Sequence, residues 1–156
     1  MIEIYDKNSY NKVEINNSLM KMSESCKDHK KGISKMNYEA ITSILNDGLV
    51  LATGCTEPGA LALTAATAAA HLGEEVKYIH TFASGNIIKN VKSVIVPNSG
   101  NERGVEAAAV LGAVAGQADL GLQVISQVTP EQIARTKELL TQKICRCELE
   151  EGEGNL

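Results

Sequence analysis

Two stretches built almost wholly from small residues limit the fold of this chain more than any other feature. Residues 59–72 carry Ala60, Ala62, Ala65, Ala66 and Ala69 between Pro58 and Gly73. Pro58 suits the first turn of a helix, where a missing N–H loses no partner, and Gly73 suits its stop. Side chains this small permit close approach of a neighbouring backbone, which suits a helix buried in a larger body. Residues 102–116 form a second helix of the same alanine- and glycine-rich kind.

Between and around them the periodicity alternates. Ile41, Ile44, Leu45 and Leu49 are helically spaced, and the pattern over 38–53 predicts a helix ending near Gly54. Residues 75–83 read as a strand with Val76, Tyr78, His80 and Phe82 on one side. Ser84-Gly85-Asn86 opens a short helical turn, residues 93–96 read as a short β-branched strand, and Pro97-Asn98-Ser99-Gly100-Asn101 is a loop signal. A short helical or extended piece covers 120–128. Thr129 and Pro130 supply the cap and first position of a helix running to about residue 142, with Ile133, Leu139 and Leu140 inward. Residues 143–150 read as a strand with Cys145, Cys147 and Leu149 on one face. The expected class is α/β or α+β, a small mixed β-sheet with alanine-rich helices packed on it. Residues 1–35, rich in Lys, Asn and Ser, read as a polar N-terminal extension, a loosely helical arm; 36–156 form the folded domain.

The chain's 156 residues suit one such domain plus an extension and can bury a core without disulfides. With no Trp, a single Phe and a net charge of −4, the composition argues against a nucleic-acid partner. The longest weakly polar stretch, 59–70, is too short and too rich in Ala and Thr to span a bilayer, so no membrane association is expected. Cys26, Cys55, Cys145 and Cys147 are scattered and follow no signal peptide, which points to the cytoplasm. Cys26 with His29 forms half of a metal motif at most, and Cys145 with Cys147 reads as two small buried hydrophobes.

The run Gly54-Cys55-Thr56-Glu57-Pro58 is where chemistry is expected. It sits at a helix mouth, with Thr56 as the natural cap and Glu57 favoured by the helix dipole. A thiol held there, as Cys55 is, has its pKa lowered toward the reactive thiolate. The segments Ser84–Asn86 and 97–101 share the design of small polar side chains ahead of a helix. Two or three of them brought together would form a pocket of N–H and hydroxyl donors for a carboxylate.

The same motif, followed by Ala60-Leu61-Ala62-Leu63, resembles the N-terminal region of the L-cysteine desulfidase family. That family is related to the α-chain of iron–sulfur-dependent L-serine dehydratases. The resemblance continues through Ser84-Gly85-Asn86-Ile87-Ile88-Lys89-Asn90, Val94-Ile95-Val96-Pro97 and the helix before Gly116, over residues 38–150. It implies a cytoplasmic lyase that turns L-cysteine into pyruvate, sulfide and ammonia with a [4Fe-4S] cluster. On that reading Cys55 is catalytic or a cluster ligand, and Glu57 is its catalytic neighbour. Thr56, Ser84, Asn86 and Asn90 hold the amino acid, L-cysteine or L-serine. Family members are much longer, and their other cluster cysteines lie in a C-terminal half. A cluster needs several thiolates brought together. The chain alone is therefore expected to bind no cluster and to be inactive without that half or a partner subunit; a homo-oligomer is a further expectation. The alternative is a stand-alone amino-acid or carboxylate binding module without catalysis.

Overall fold

A computed structural model describes residues 2–5, 13–15 and 37–150 of the chain. The expectations placed on Cys26, His29 and the acidic tail after residue 150 lie outside the described residues. By its internal contacts the chain divides into two units, Ser18–Leu51 and Met1–Asn17 with Ala52–Leu156.

In the first unit, helix α1 spans Tyr38–Gly48. Asn37 caps it, its side-chain oxygen accepting from the Ala40 N–H at 3.2 Å. The helix ends at Gly48 instead of near Gly54, because Leu49 is already extended at φ −81 and ψ 107. Glycine is the weakest helix former short of proline, and β-branched Val50 follows, so the apolar run outlasts the helix.

The larger unit is α/β. Helix α2 (Thr56–Leu72) and helix α4 (Gly104–Ala115) make its centre. Their small residues serve the close approach expected of them. A Cβ on Gly112 would fall on the Ala62 backbone, and one on Gly116 would come within 2.5 Å of Ala66 Cβ. The two backbones therefore touch, and dense contact supplies the dispersion that methyl-sized side chains lack in area. Around this seam the core gathers Leu61, Val91, Val96, Leu111 and Ile125.

Strands β1 (Ile2–Tyr5), β2 (Val13–Ile15), β3 (Tyr78–Ala83) and β4 (Cys145–Leu149) form one mixed sheet in the order β2-β1-β3-β4. β1 runs antiparallel to β2 and β3, whereas β3 and β4 are parallel, with Ile79 opposite Cys145 and Thr81 opposite Cys147. The N-terminal extension thus contributes two strands where a loosely helical arm was expected. Alternation of Ile2 and Ile4 with Glu3 and Tyr5 is the period-two pattern a strand needs. β3 buries Ile79, Thr81 and Ala83, while Tyr78, His80 and Phe82 share its half-buried face.

Helix α3 (Gly85–Val91) follows β3. The strand expected over 93–96 is reduced to one bridge, Ile95 with Arg103, because the chain turns back at once through the loop 97–101. A 3-10 segment, Ala118–Gln123, kinks at Gly121, whose φ is 55°. Helix α5 (Pro130–Thr141) starts with a complete capping box between Thr129 and Gln132.

Candidate functional site

The first residue of α2 is Thr56, so Cys55 takes the N-cap position expected for Thr56. The reason is local. Gly54 adopts φ +80 and Cys55 is extended, and a Cβ on Gly54 would come within 2.8 Å of Pro97 Cγ. A residue with a side chain is excluded there on both counts. This contact sets the loop 97–101 against the mouth of α2.

The Cys55 thiol does not cap the helix. It donates to Glu57 Oε2 at 2.8 Å, and the Thr56 hydroxyl donates to the same oxygen at 3.2 Å. The other carboxylate oxygen, Oε1, accepts from Asn90 Nδ2 at 3.2 Å. Asn90 stands in the last turn of α3, so the set is drawn from two helices. Four of the six residues expected in the site, Cys55, Thr56, Glu57 and Asn90, thereby form one hydrogen-bonded group around a single carboxylate.

This arrangement reverses the expected ionisation of Cys55. The thiol pKa is raised above its ordinary value, first because the Glu57 carboxylate accepts its proton and second through desolvation; the Glu57 and Thr56 backbone N–H groups pull the other way and lose. Glu57 is held below the ordinary carboxylate value by the Cys55 thiol foremost, then by its own backbone N–H, Thr56 and Asn90. At neutral pH the pair is therefore thiol and carboxylate, not thiolate and acid. The helix dipole favours negative charge at this mouth, and Glu57 takes that place instead of Cys55. Cys55 is exposed, so reagents reach it.

Ser84 and Asn86 stand at the other end of α3 from Asn90. The Ser84 hydroxyl is buried and makes no hydrogen bond. In the loop 97–101 the side-chain donors of Asn98 and Ser99 are committed to main-chain carbonyls. Asn98 donates to the Ile125 carbonyl at 2.8 Å, and buried Ser99 donates to the carbonyls of Val96 and Glu102. Positive φ at Asn98, Gly100 and Asn101 folds this loop tightly. Gly54 and Pro97 bring two of the three donor segments into contact. That contact joins positions far apart in the chain and left no periodic signal.

The remaining thiols among the described residues belong to the sheet. Cys145 lies 3.9 Å from the Thr81 hydroxyl, and burial pushes its pKa up to about 12. Burial likewise raises Cys147, with the charge of Glu106 adding to it. His80 Nε2 stands 3.4 Å from Glu148 Oε2 without hydrogen-bond geometry, and its ring lies 4.1 Å from that of Phe82. Among the described residues no three His, Cys, Asp or Glu side chains converge to hold a metal. With one thiol already bound to a carboxylate, the described residues do not fit a [4Fe-4S] cluster. An open groove of about 410 Å³ between α2, α4 and α5, lined by Ala66, Ala69, Val76, Val114 and Arg135, contains none of the expected site residues. No described helix is long and apolar enough to cross a membrane.

The fold and site together define an α/β domain with a thiol, a carboxylate and an amide gathered where a central helix begins. The chain is similar to UPF0597 proteins. It is 49% identical over 115 residues to one from Finegoldia magna, a match covering 74% of this chain and 28% of the relative. It is 42% identical over 124 residues to one from Treponema denticola, covering 80% of this chain and 29% of the relative. A third, from Lachnoclostridium phytofermentans, is 45% identical over 109 residues, which are 70% of this chain and 26% of the relative. The chain thus spans less than a third of the length of these relatives. No protein-family model matches it, and no solved structure does.

Proposed function

We propose that this chain is the N-terminal portion of a cytoplasmic lyase resembling L-cysteine desulfidase, with Cys55 and Glu57 handling protons on an L-cysteine or L-serine substrate. One observation carries the reading: the Cys55 thiol donates to a Glu57 carboxylate that Asn90 braces from a second helix. Elimination from L-cysteine requires a base for the α-proton and an acid for the departing sulfur. The enamine left behind tautomerises to an imine and takes up water, giving pyruvate and ammonia. Glu57, kept as a carboxylate, is the acceptor; Cys55, kept as a thiol, is the donor. Their separation of 2.8 Å lets one re-protonate the other between turnovers. Thr56 and Asn90 act by fixing the carboxylate, and the N–H groups at the start of α2 suit the substrate's carboxylate. No step is assigned to a cluster, since the residues described here do not fit one.

The binding module without catalysis is the weaker reading. It needs donor segments that converge, and the Asn98 and Ser99 side chains are spent on main-chain carbonyls of Ile125 and Val96.

The test is reconstitution. The chain is combined anaerobically with the part of the Finegoldia magna relative outside the matched 115 residues, and pyruvate is measured from L-cysteine and L-serine. Activity should appear on mixing and fall by about 100-fold or more in Cys55→Ala and Glu57→Gln. A mixture that makes pyruvate equally well with both variants would sink the assignment.

A further inference from the structure

We infer that β4 is the edge through which two copies of this chain join, antiparallel, about a two-fold axis at Cys147. The inference does not rest on the lyase reading. Among the described residues β4 closes one side of the sheet, with β3 its only neighbour. The Ile144 carbonyl accepts from the Ile79 N–H, and the Glu150 N–H donates to the Ala83 carbonyl. The main chain of even-numbered residues therefore faces β3. By the two-residue period of a strand, the N–H and C=O groups of Cys145, Cys147 and Leu149 face away from it. Such a row is a template for another strand. The devices that blunt an edge are absent from β4: Cys145–Leu149 contains no Pro, Gly or Lys, and its register with β3 has no bulge. Leu149 is 54% exposed on it.

The sequence of β4 selects its own copy as the occupant. Antiparallel strands bond only where outward-facing residues stand opposite outward-facing residues, so odd numbers must meet odd numbers. With Cys147 opposite Cys147, Arg146 of each copy stands opposite Glu148 of the other, and Leu149 stands opposite Cys145. Every neighbouring register is worse. Centring on Arg146 or on Glu148 sets like charge against like, and centring on Leu149 sets Glu148 against Glu150. Centring on Cys145 leaves Arg146 without an acidic partner. In the favoured register Arg146 and Glu148 form the pairs without main-chain bonds, whose side chains lie closest. Within one copy these two already meet at 2.6 Å, and their side chains are 67% and 36% exposed. The joint thus links four charges of alternating sign. A two-fold axis supplies the complement automatically, because reversing the strand exchanges Arg for Glu. The two four-stranded sheets become one continuous sheet.

The experiment is sedimentation velocity on the full chain up to about 500 µM. A dimer with a dissociation constant of about 10–100 µM is expected, as suits a joint of one short strand pair. Arg146→Glu and Glu148→Arg should each weaken self-association about tenfold or more. Mixed in equal amounts, these two variants should pair with each other, since each then presents the charges the other lacks. The chain carrying both exchanges should regain self-association to within about threefold, and it keeps the test decisive where a single variant does not fold. Amide hydrogen exchange locates the joint: the Cys147 and Leu149 amides should gain protection as concentration rises, and those of α5 should not. A chain that stays monomeric throughout overturns the inference and leaves this edge to a different strand. Single variants that associate like the unaltered chain, variants that ignore each other on mixing, or β4 amides indifferent to concentration overturn it equally.

Discussion

At the scale of the residue, Cys55 shows how a neighbour outweighs a helix. A thiol at a helix start meets N–H groups and a positive dipole end, and both favour thiolate. Here the carboxylate two residues on accepts the thiol proton at 2.8 Å, and the nearer, full charge prevails. Replacing that charge reverses the balance. Glu57→Gln should lower the Cys55 pKa toward or below its ordinary value and raise the rate of iodoacetamide alkylation near pH 7.5 by about threefold to tenfold, with half-buried Cys145 and Cys147 slow throughout because desolvation raises their pKa values. Alkylation that slows or stays constant in this variant would show that the carboxylate does not govern the thiol. Sequence brought these four residues into view. It could not show that Asn90 turns toward Glu57, because that bond crosses between helices.

At the scale of the element, the capping chemistry was legible and the close approach between helices was not. Thr129, Pro130 and Gln132 predict the start of α5 because a capping box is local, and all its atoms lie within four consecutive residues. The strand expected over 93–96 failed for the opposite reason: a strand needs a partner, and β-branched residues alone do not supply one. Between α2 and α4, small residues announced a close approach, but only the fold reveals that Gly112 meets Ala62. Gly112→Ala would press a methyl group on a main-chain carbonyl that cannot move without shifting α2. We expect a loss of about 2–4 kcal/mol in chemical denaturation, despite the gain in helix propensity. Gly48→Ala, where nothing lies within 4 Å, is the control and should not destabilise. Equal stability of both variants would mean that the helices are not packed in this way.

At the scale of the whole molecule, the sheet determines the fate of Cys145 and Cys147. Parallel pairing of β4 with β3 sets Cys145 beside Ile79 and Cys147 beside Thr81. The folded pKa of Cys145 is about 12 against an ordinary 9.0. Between those values the unfolded chain has given up the thiol proton while the folded chain keeps it. The unfolded state then binds fewer protons, so stability falls as pH rises through this interval and is full below it. Thermal unfolding should shift to lower temperature from pH 9 upward, and Cys145→Ala should flatten that slope while costing some packing at neutral pH. An identical slope in the variant would place the thiol in solvent.

What the sequence determined by itself is what depends on near neighbours. The helical and extended periods, the caps, the small-residue helices and the motif around Cys55 all rest on interactions spanning a few residues. The tertiary structure decided what depends on distant pairs. It made strands of the N-terminal segment by pairing β1 with β3, spent the Asn98 donor on the distant Ile125 carbonyl, and joined Asn90 to Glu57. Hydrogen bonds and charges act over a few ångströms, so the state of a thiol or a carboxylate follows from whichever groups the fold sets beside it.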